Sequence, residues 1–287
     1  MELGSVAQLW RYPVKSMMGE MLDEVDCDQL GLTGDRGWAT RDEVRGGIKG
    51  AKKLGGLMGL SARYVSPPED PASLPEVEIT FPDGTSVRSD HPEVHTRLSA
   101  ALDHDVTLWP RRPATDLDHY RMAPMDSDDL LEELRGLFGR QIDEPLPDLS
   151  TFPPDIFQYE SPLGTYFDAY PLLLVTTTSL RTLQAAAPKS MVDVRRFRPN
   201  LLIRPDDALD GYPEQAWVGQ RLRVGEAVVE VVNACPRCVM ITRGFDDLPQ
   251  DRPLMRTVVA QADQNLGVYA RVVEPGRLER GASVVEA

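Results

Sequence analysis

Cysteine, histidine and positive charge are all scarce in this sequence. Only Cys27, Cys235 and Cys238 stand among 287 residues, too few for a disulfide framework, and an odd count points to free thiols in a reducing compartment. The four histidines, His91, His95, His104 and His119, all precede residue 120. With no second C-x-x-C, a four-ligand zinc site at Cys235 and Cys238 would have to draw on those distant residues. Lysine and arginine number 31 against 45 aspartates and glutamates, a net charge of −14. Such a balance disfavours the broad basic face that nucleic acid or an anionic membrane requires, so any bound anion must meet a local basic pocket. No apolar run approaches the roughly 18 residues of a spanning helix, and Met1 to Met18 lacks the basic flank and apolar stretch of a signal peptide. A cytoplasmic protein without membrane or nucleic-acid partners is expected. A G-x-G-x-x-G nucleotide loop and the cysteines for an iron–sulfur cluster are missing as well.

What is present, 41% apolar residues, is ample for one large domain or two modest ones. The first 90 residues read as short antiparallel strands: Val6 to Trp10, Met21 to Cys27, Arg36 to Arg41, and an alternating Val77, Ile79, Phe81 segment turning at Pro82-Asp83-Gly84. A helix is predicted from an Asp90 cap, with Pro92 in its first turn and Glu93 as capping-box partner, to about His104. Leu130, Leu131, Leu134 and Leu137 predict a second, over Ser127 to Phe138, with one buried stripe. Five prolines between Asp143 and Pro162 mark a long connection and a domain junction before or within it. Beyond it, Leu172 to Val175 reads as a buried strand, and Thr177 or Thr178 caps a helix through about Ala187. Strands are then predicted at Leu201 to Arg204, Arg221 to Val224, Ala227 to Val232, Val268 to Val273 and Ala282 to Val285. This pattern suggests a twisted, barrel-like sheet.

The chemistry concentrates in Asn233-Ala234-Cys235-Pro236-Arg237-Cys238, a C-x-x-C directly after a strongly β segment. Structural zinc, a thioredoxin-like redox pair and two inert buried thiols are the competing readings. Zinc lacks ligands nearby, and the redox pair lacks its βαβ setting, because the apolar Val239-Met240-Ile241 follows. Free cysteine is often simply buried, but the adjacent Arg237 favours a thiolate, the form that binds metals. Three further segments set cations beside special backbone: Tyr12-Pro13-Val14-Lys15-Ser16, Gly34-Asp35-Arg36-Gly37-Trp38 and Arg195-Arg196-Phe197-Arg198-Pro199-Asn200. Singly each reads as solvated charge. Together with a thiol loop they suggest an anionic ligand.

These segments, in this order, resemble the MOSC proteins that carry an N-terminal MOSC β-barrel region, the group of the mitochondrial amidoxime-reducing component and its bacterial counterparts. The likeness spans nearly the whole chain, through Gly267-Val268-Tyr269 and the Gly276 to Val285 ending. It implies an α+β, mainly β fold, a MOSC-type β-barrel preceded by a β-rich N-terminal region, divided here as residues 1–120 and 121–287. It implies a molybdenum cofactor with Cys238 as the protein's metal ligand and catalytic residue. Lys15, Ser16 and Arg36 would meet its phosphate and pterin, Arg198 and Asn200 would approach from the other half, and Pro236 and Arg237 would contact it from the cysteine loop. The implied activity is reduction of N-hydroxylated or N-oxide compounds, with electrons from an external ferredoxin or haem protein and its reductase. The other class of function is a sulfur or molybdenum-cofactor carrier, with a persulfide on Cys238 or cofactor bound without turnover. Two departures stand out. Lys49, Lys52 and Lys53 occupy a stretch where relatives often carry arginine, and Ile241-Thr242-Arg243-Gly244-Phe245 replaces a Thr-x-Asp-Pro pattern.

Overall fold

The computed structural model describes all residues except 71, 72, 126, 207 and 208. The run Leu172–Thr176 is buried at every position, which an amphipathic surface strand would not be. Its alternate side chains serve two cores: Leu172 and Leu174 point into one cluster with Val6, Leu9, Ile203 and Val229, while Leu173 and Val175 join Leu183, Leu254 and Val258 beneath the helices. A strand covered on both faces reads as a continuous apolar run. Leu172–Thr176 pairs in parallel with Leu201–Pro205, and parallel neighbours need a crossover. The helix Thr177–Ala186 supplies it, capped by Thr176, whose hydroxyl accepts from the Ser179 amide.

Seven strands close into a barrel. Around it run Glu2–Arg11, Leu201–Pro205, Leu172–Thr176, Asn265–Glu274, Ala227–Pro236, Arg221–Val224 and Ser283–Glu286, which pairs back onto Glu2–Arg11. Closure leaves no free sheet edge within the ring. The first strand of the chain therefore sits among strands that all follow residue 171, and the short Glu20–Leu22 strand extends it. Three smaller sheets complete the β structure: Val106–Pro110 with Trp38–Asp42 and Ile48–Lys49, Ser61–Tyr64 with Val77–Thr80 and Ser86–Arg88, and Gly276–Glu279 with Glu24–Asp28 and Gly31–Leu32. The first two enclose a separate core around Val14, Trp38, Leu57, Ile79 and Leu98. The fold is α+β and mainly β, as expected.

Several local expectations shift. The continuous strand expected over Met21 to Cys27 breaks between Leu22 and Glu24 to serve two sheets. The Asp90 carboxylate is taken by the Arg88 guanidinium at 2.9 and 3.1 Å, so the helix begins later, at Val94, and ends at Leu102. The second helix starts at Leu130 rather than near Ser127, is capped by Asp129 and runs to Phe138; in place of the expected buried stripe it has no fully buried residue and leaves Leu130 and Leu131 exposed. The Ala227–Pro236 strand runs four residues beyond Val232, and that extension carries it into the cysteine loop.

Candidate functional site

The cysteine loop is where this long strand stops. Pro236 ends the pairing with Asn265–Glu274, and Cys238 is the N-cap of a single turn, Val239–Thr242. The turn is held by the Thr242 hydroxyl donating to the Val239 carbonyl at 2.8 Å. The loop backbone is held from the far side: the Arg237 amide donates to the Gln264 carbonyl at 2.9 Å, and Arg140 donates to the Arg237 carbonyl at 3.1 Å. The two cysteines then differ. Cys235 is buried, accepts from the Arg237 guanidinium at 3.0 Å, and has its thiol pushed up by burial with Arg237 opposing. Cys238 is a free thiol and only half-buried.

Two segments from the start of the chain meet this loop. Val14 bridges to Trp38, and the Arg36 amide donates to the Tyr12 carbonyl at 2.7 Å, so Lys15, Ser16 and Arg36 are presented side by side. Lys15 is buried, and its ammonium donates to Asp168 at 2.7 Å and the Tyr166 carbonyl at 2.8 Å. Burial pushes its pKa down against the pull of Asp168. The Ser16 hydroxyl accepts from the Ala51 amide at 2.9 Å, which requires Gly50: a Cβ there would lie 2.8 Å from that oxygen. Arg36 pairs with the buried Asp35. Arg36 and Arg198 both lie over the Tyr12 ring, at 5.1 and 4.2 Å.

Three of these residues share a rare backbone. Ser16, Arg36 and Arg198 have φ of 68°, 48° and 55°, the left-handed region that costs non-glycine residues on the order of 1 to 3 kcal/mol. That all three fall at one place makes the strain informative. At Arg198 the conformation ends the short helix Val194–Phe197 and turns the guanidinium inward, where it donates to the Met17 carbonyl at 2.6 Å.

All the residues singled out from sequence line one cavity: Lys15, Ser16, Arg36, Arg198, Asn200 and the Pro236–Cys238 loop. The cavity opens to solvent at its mouth, as a site that admits a small molecule must. The described lining residues include six lysines and arginines and one carboxylate, Asp168, a local inversion of the chain's acidic balance. Among the described residues three buried guanidinium nitrogens have no hydrogen-bond partner: Arg198 Nη2, Arg237 Nε and Arg243 Nε. Buried donors without partners are rare, and the first two belong to residues lining the cavity. Donors of this kind, beside a half-buried thiol, fit an anionic group that takes a soft sulfur ligand, the chemistry of the molybdenum cofactor. No group of three or more His, Cys, Asp and Glu side chains gathers as a metal cluster among the described residues, so the four-ligand zinc reading has no site.

Asn200 contributes differently. Its carboxamide accepts from the Leu173 amide at 3.1 Å and donates to the Trp10 carbonyl at 3.3 Å, stitching three barrel strands at the cavity wall. Sequence reasoning missed Asp168, whose partial burial works to raise its carboxyl but which Lys15 and Lys52 hold well below its ordinary value. It missed the Phe152, Tyr170 and Tyr269 rings as well. Of the three lysines in the departing stretch only Lys52 lines the cavity, 3.4 Å from Asp168, while Lys49 pairs with Glu160 and Lys53 with Glu133. Lys52 thus returns a cation to the site, without a guanidinium's two-pronged geometry.

Residues 3–106 match the MOSC N-terminal beta barrel domain and residues 164–285 the MOSC domain. The Homo sapiens mitochondrial amidoxime reducing component 2 is 27% identical over 259 residues, 84% of this chain and 67% of that protein. The Homo sapiens mitochondrial amidoxime-reducing component 1 is 26% identical over 259 residues, 84% of this chain and 66% of that protein. The chain thus spans about two thirds of the length of these relatives. Among solved structures, the YuaD protein of Bacillus subtilis aligns over 98% of this chain and 93% of its own, at 11% identity and a TM-score of 0.42. With both domain matches in order along it, the chain belongs to the MOSC proteins that carry the MOSC N-terminal domain.

Proposed function

We propose that this protein is a molybdenum-cofactor-dependent oxidoreductase that reduces N-hydroxylated or N-oxide compounds. The observation that carries the reading is the cavity itself, where buried cations with unmet donors surround a half-buried thiol in an otherwise acidic chain. Lys15, Ser16, Arg36 and Lys52 hold the anionic part of the cofactor from the N-terminal side. Arg198 and Arg237 supply their unpartnered N–H groups from the other, and Asn200 fixes the wall between them. Several charge-assisted hydrogen bonds at about 1.5 to 3 kcal/mol each outweigh repulsion from surface carboxylates, which salt screens within about 10 Å. Cys238 gives the metal a thiolate. The bound cofactor supplies two-electron redox chemistry at the substrate N–O bond.

The balance is that an N-hydroxy compound takes up two electrons and two protons to give the amine and water. The electrons come from an external donor of the ferredoxin or haem-protein class. Solvent reaches the cavity through its open mouth and supplies the two protons. Asp168 lies 43% exposed between Lys15 and Lys52 and keeps those ammonium groups oriented.

The test starts with protein from a cofactor-competent host, assayed for molybdenum and for oxidisable pterin released on denaturation. Equal amounts of both, with turnover of a hydroxylamine under a chemical reductant, support the reading. Sulfane sulfur on Cys238 with no metal would support the carrier function instead. X-ray absorption separates the cysteines: Cys238→Ser lowers the Mo–S ligand count by one and Cys235→Ser does not. Loss of a sulfur in Cys235→Ser, or full activity in Cys238→Ser, would refute Cys238 as the sole protein ligand.

A further inference from the structure

The connection expected between residues 143 and 162 does more than join two halves. Leu149, Phe152 and Ile156 from this segment line the cavity, opposite the cations. Phe152 packs against Tyr170 and Tyr269 with ring centroids 6.0 and 6.1 Å away, and the two tyrosines stand 5.5 Å apart. These separations suit tilted and edge-to-face aromatic contacts. The cluster is pinned from outside: the Asn233 carboxamide donates to the Thr151 carbonyl at 3.2 Å and to the Tyr170 hydroxyl at 3.0 Å, and that hydroxyl donates to the Thr151 carbonyl at 3.2 Å. The connection is thereby tied to the strand that carries the cysteine loop.

The cavity is consequently amphipathic. Its cationic end is buried, with Lys15, Ser16, Arg198 and Arg237 each under a tenth exposed. Its aromatic side is half-buried, since Leu149, Phe152, Ile156, Tyr170 and Tyr269 all keep part of their surface accessible. Apolar rings facing a cavity, with surface to spare and a hydrogen-bonded brace behind them, form a wall for a flat apolar group.

Resting on the oxidoreductase reading, we propose that the Phe152–Tyr170–Tyr269 wall sets substrate class, selecting N-hydroxylated compounds with an aryl or other flat apolar substituent. The aryl group lies along the wall and the N–OH points inward toward Cys238. Small alkyl hydroxylamines lack the group the wall receives.

N-Phenylhydroxylamine and N-methylhydroxylamine share the reacting head and differ in this substituent. Their dissociation constants are measured on the cofactor-containing protein, under anaerobic conditions without reductant, by ligand-observed NMR saturation transfer. The phenyl compound should bind about tenfold or more tightly, with its ring protons most strongly saturated. Phe152→Ala should bring the ratio of the two constants toward one, and Ile156→Ala, a smaller truncation on the same segment, should lower it partway. Equal binding of the two probes to the wild-type protein, or an unchanged ratio in both variants, overturns the inference. Turnover is a separate arm: if reductant consumes neither probe, the functional reading fails, while the binding ratio still decides whether the wall selects aryl groups.

Discussion

Replacing Arg198 with alanine should cost the protein its cofactor but not its fold. In place, the guanidinium donates to the Met17 carbonyl, stacks over Tyr12 and leaves Nη2 free inside the cavity. Losing one charge-assisted contact to an anion weakens binding by about 1.5 to 3 kcal/mol, or about 10- to 150-fold. For the cofactor-free protein two effects oppose. Stranding the Met17 carbonyl costs about 1 to 3 kcal/mol, and losing the cation–π contact about 0.5 to 2 kcal/mol. Against this, burial pushes Arg198 down to about 10, which corresponds to about 3 kcal/mol of disfavoured charge at neutral pH, released on removal. The net change lies within about 2 kcal/mol of zero, so Tm should move by no more than about 5 °C. Arg198→Lys keeps the charge, but one ammonium cannot match a guanidinium's fork, and an intermediate loss is expected. Occupancy is read as molybdenum and pterin after gel filtration, with circular dichroism for the fold. Full occupancy in both variants would refute the placement of Arg198 on the anion.

Three further outcomes follow from the same geometry. Gly50→Ala brings a Cβ to 2.8 Å from the Ser16 hydroxyl oxygen and should reduce cofactor occupancy in the same assay; unchanged occupancy would remove Ser16 from the site. Gly267→Ala combines a φ of 82° with a Cβ 2.7 Å from the Leu174 carbonyl and should lower stability in urea by about 1 kcal/mol or more; a neutral effect would show that the barrel yields there. Glu214 is buried, accepts from Thr176, Ser179 and the Gly267 amide, and has its carboxyl raised by burial. A folded value above the unfolded one means the native state holds the extra proton, so this contribution is full below the unfolded 4.5 and is lost as pH rises through the folded value. Glu214→Gln should flatten that part of the stability–pH profile, and an unchanged profile would show that Glu214 does not titrate on folding.

Much of the fold was legible because local patterns matched local outcomes. The wholly apolar run at Leu172 reads as a strand covered on both faces, and it is one. The barrel-like sheet was expected, but the place of Glu2–Arg11 in it was not legible, because that strand pairs with Leu201–Pro205 about 200 residues later, and pairing over that distance leaves no periodic trace. Ser61–Tyr64 and Val106–Pro110, four and five residues long, were missed as well. At the site, cations beside glycine or proline were visible as motifs, while Asp168 sits in a stretch with no pattern of its own. Its importance comes from facing Lys15 across 153 positions of sequence.

The inversion of charge between chain and cavity follows from how these distant segments meet. A chain with 14 excess negative charges gains little by scattering cations over its surface, where salt screens them. Drawn under the surface at Lys15, Arg36, Arg198 and Arg237, the same cations act at lower local dielectric, and each unmet donor favours an anion more strongly. The cost is strain and desolvation, seen in three left-handed residues and in the lowered pKa values of Lys15 and Arg198. A bound anion relieves the desolvation directly, so ligand binding and stability are coupled through these residues. The barrel supplies the rigidity that such a site needs, because Glu2–Arg11 leads into Lys15, Leu201–Pro205 follows Arg198, and Ala227–Pro236 leads into Cys238. Two of these strands pair directly, and the third shares their closed ring, so none of the three groups can drift without breaking barrel hydrogen bonds.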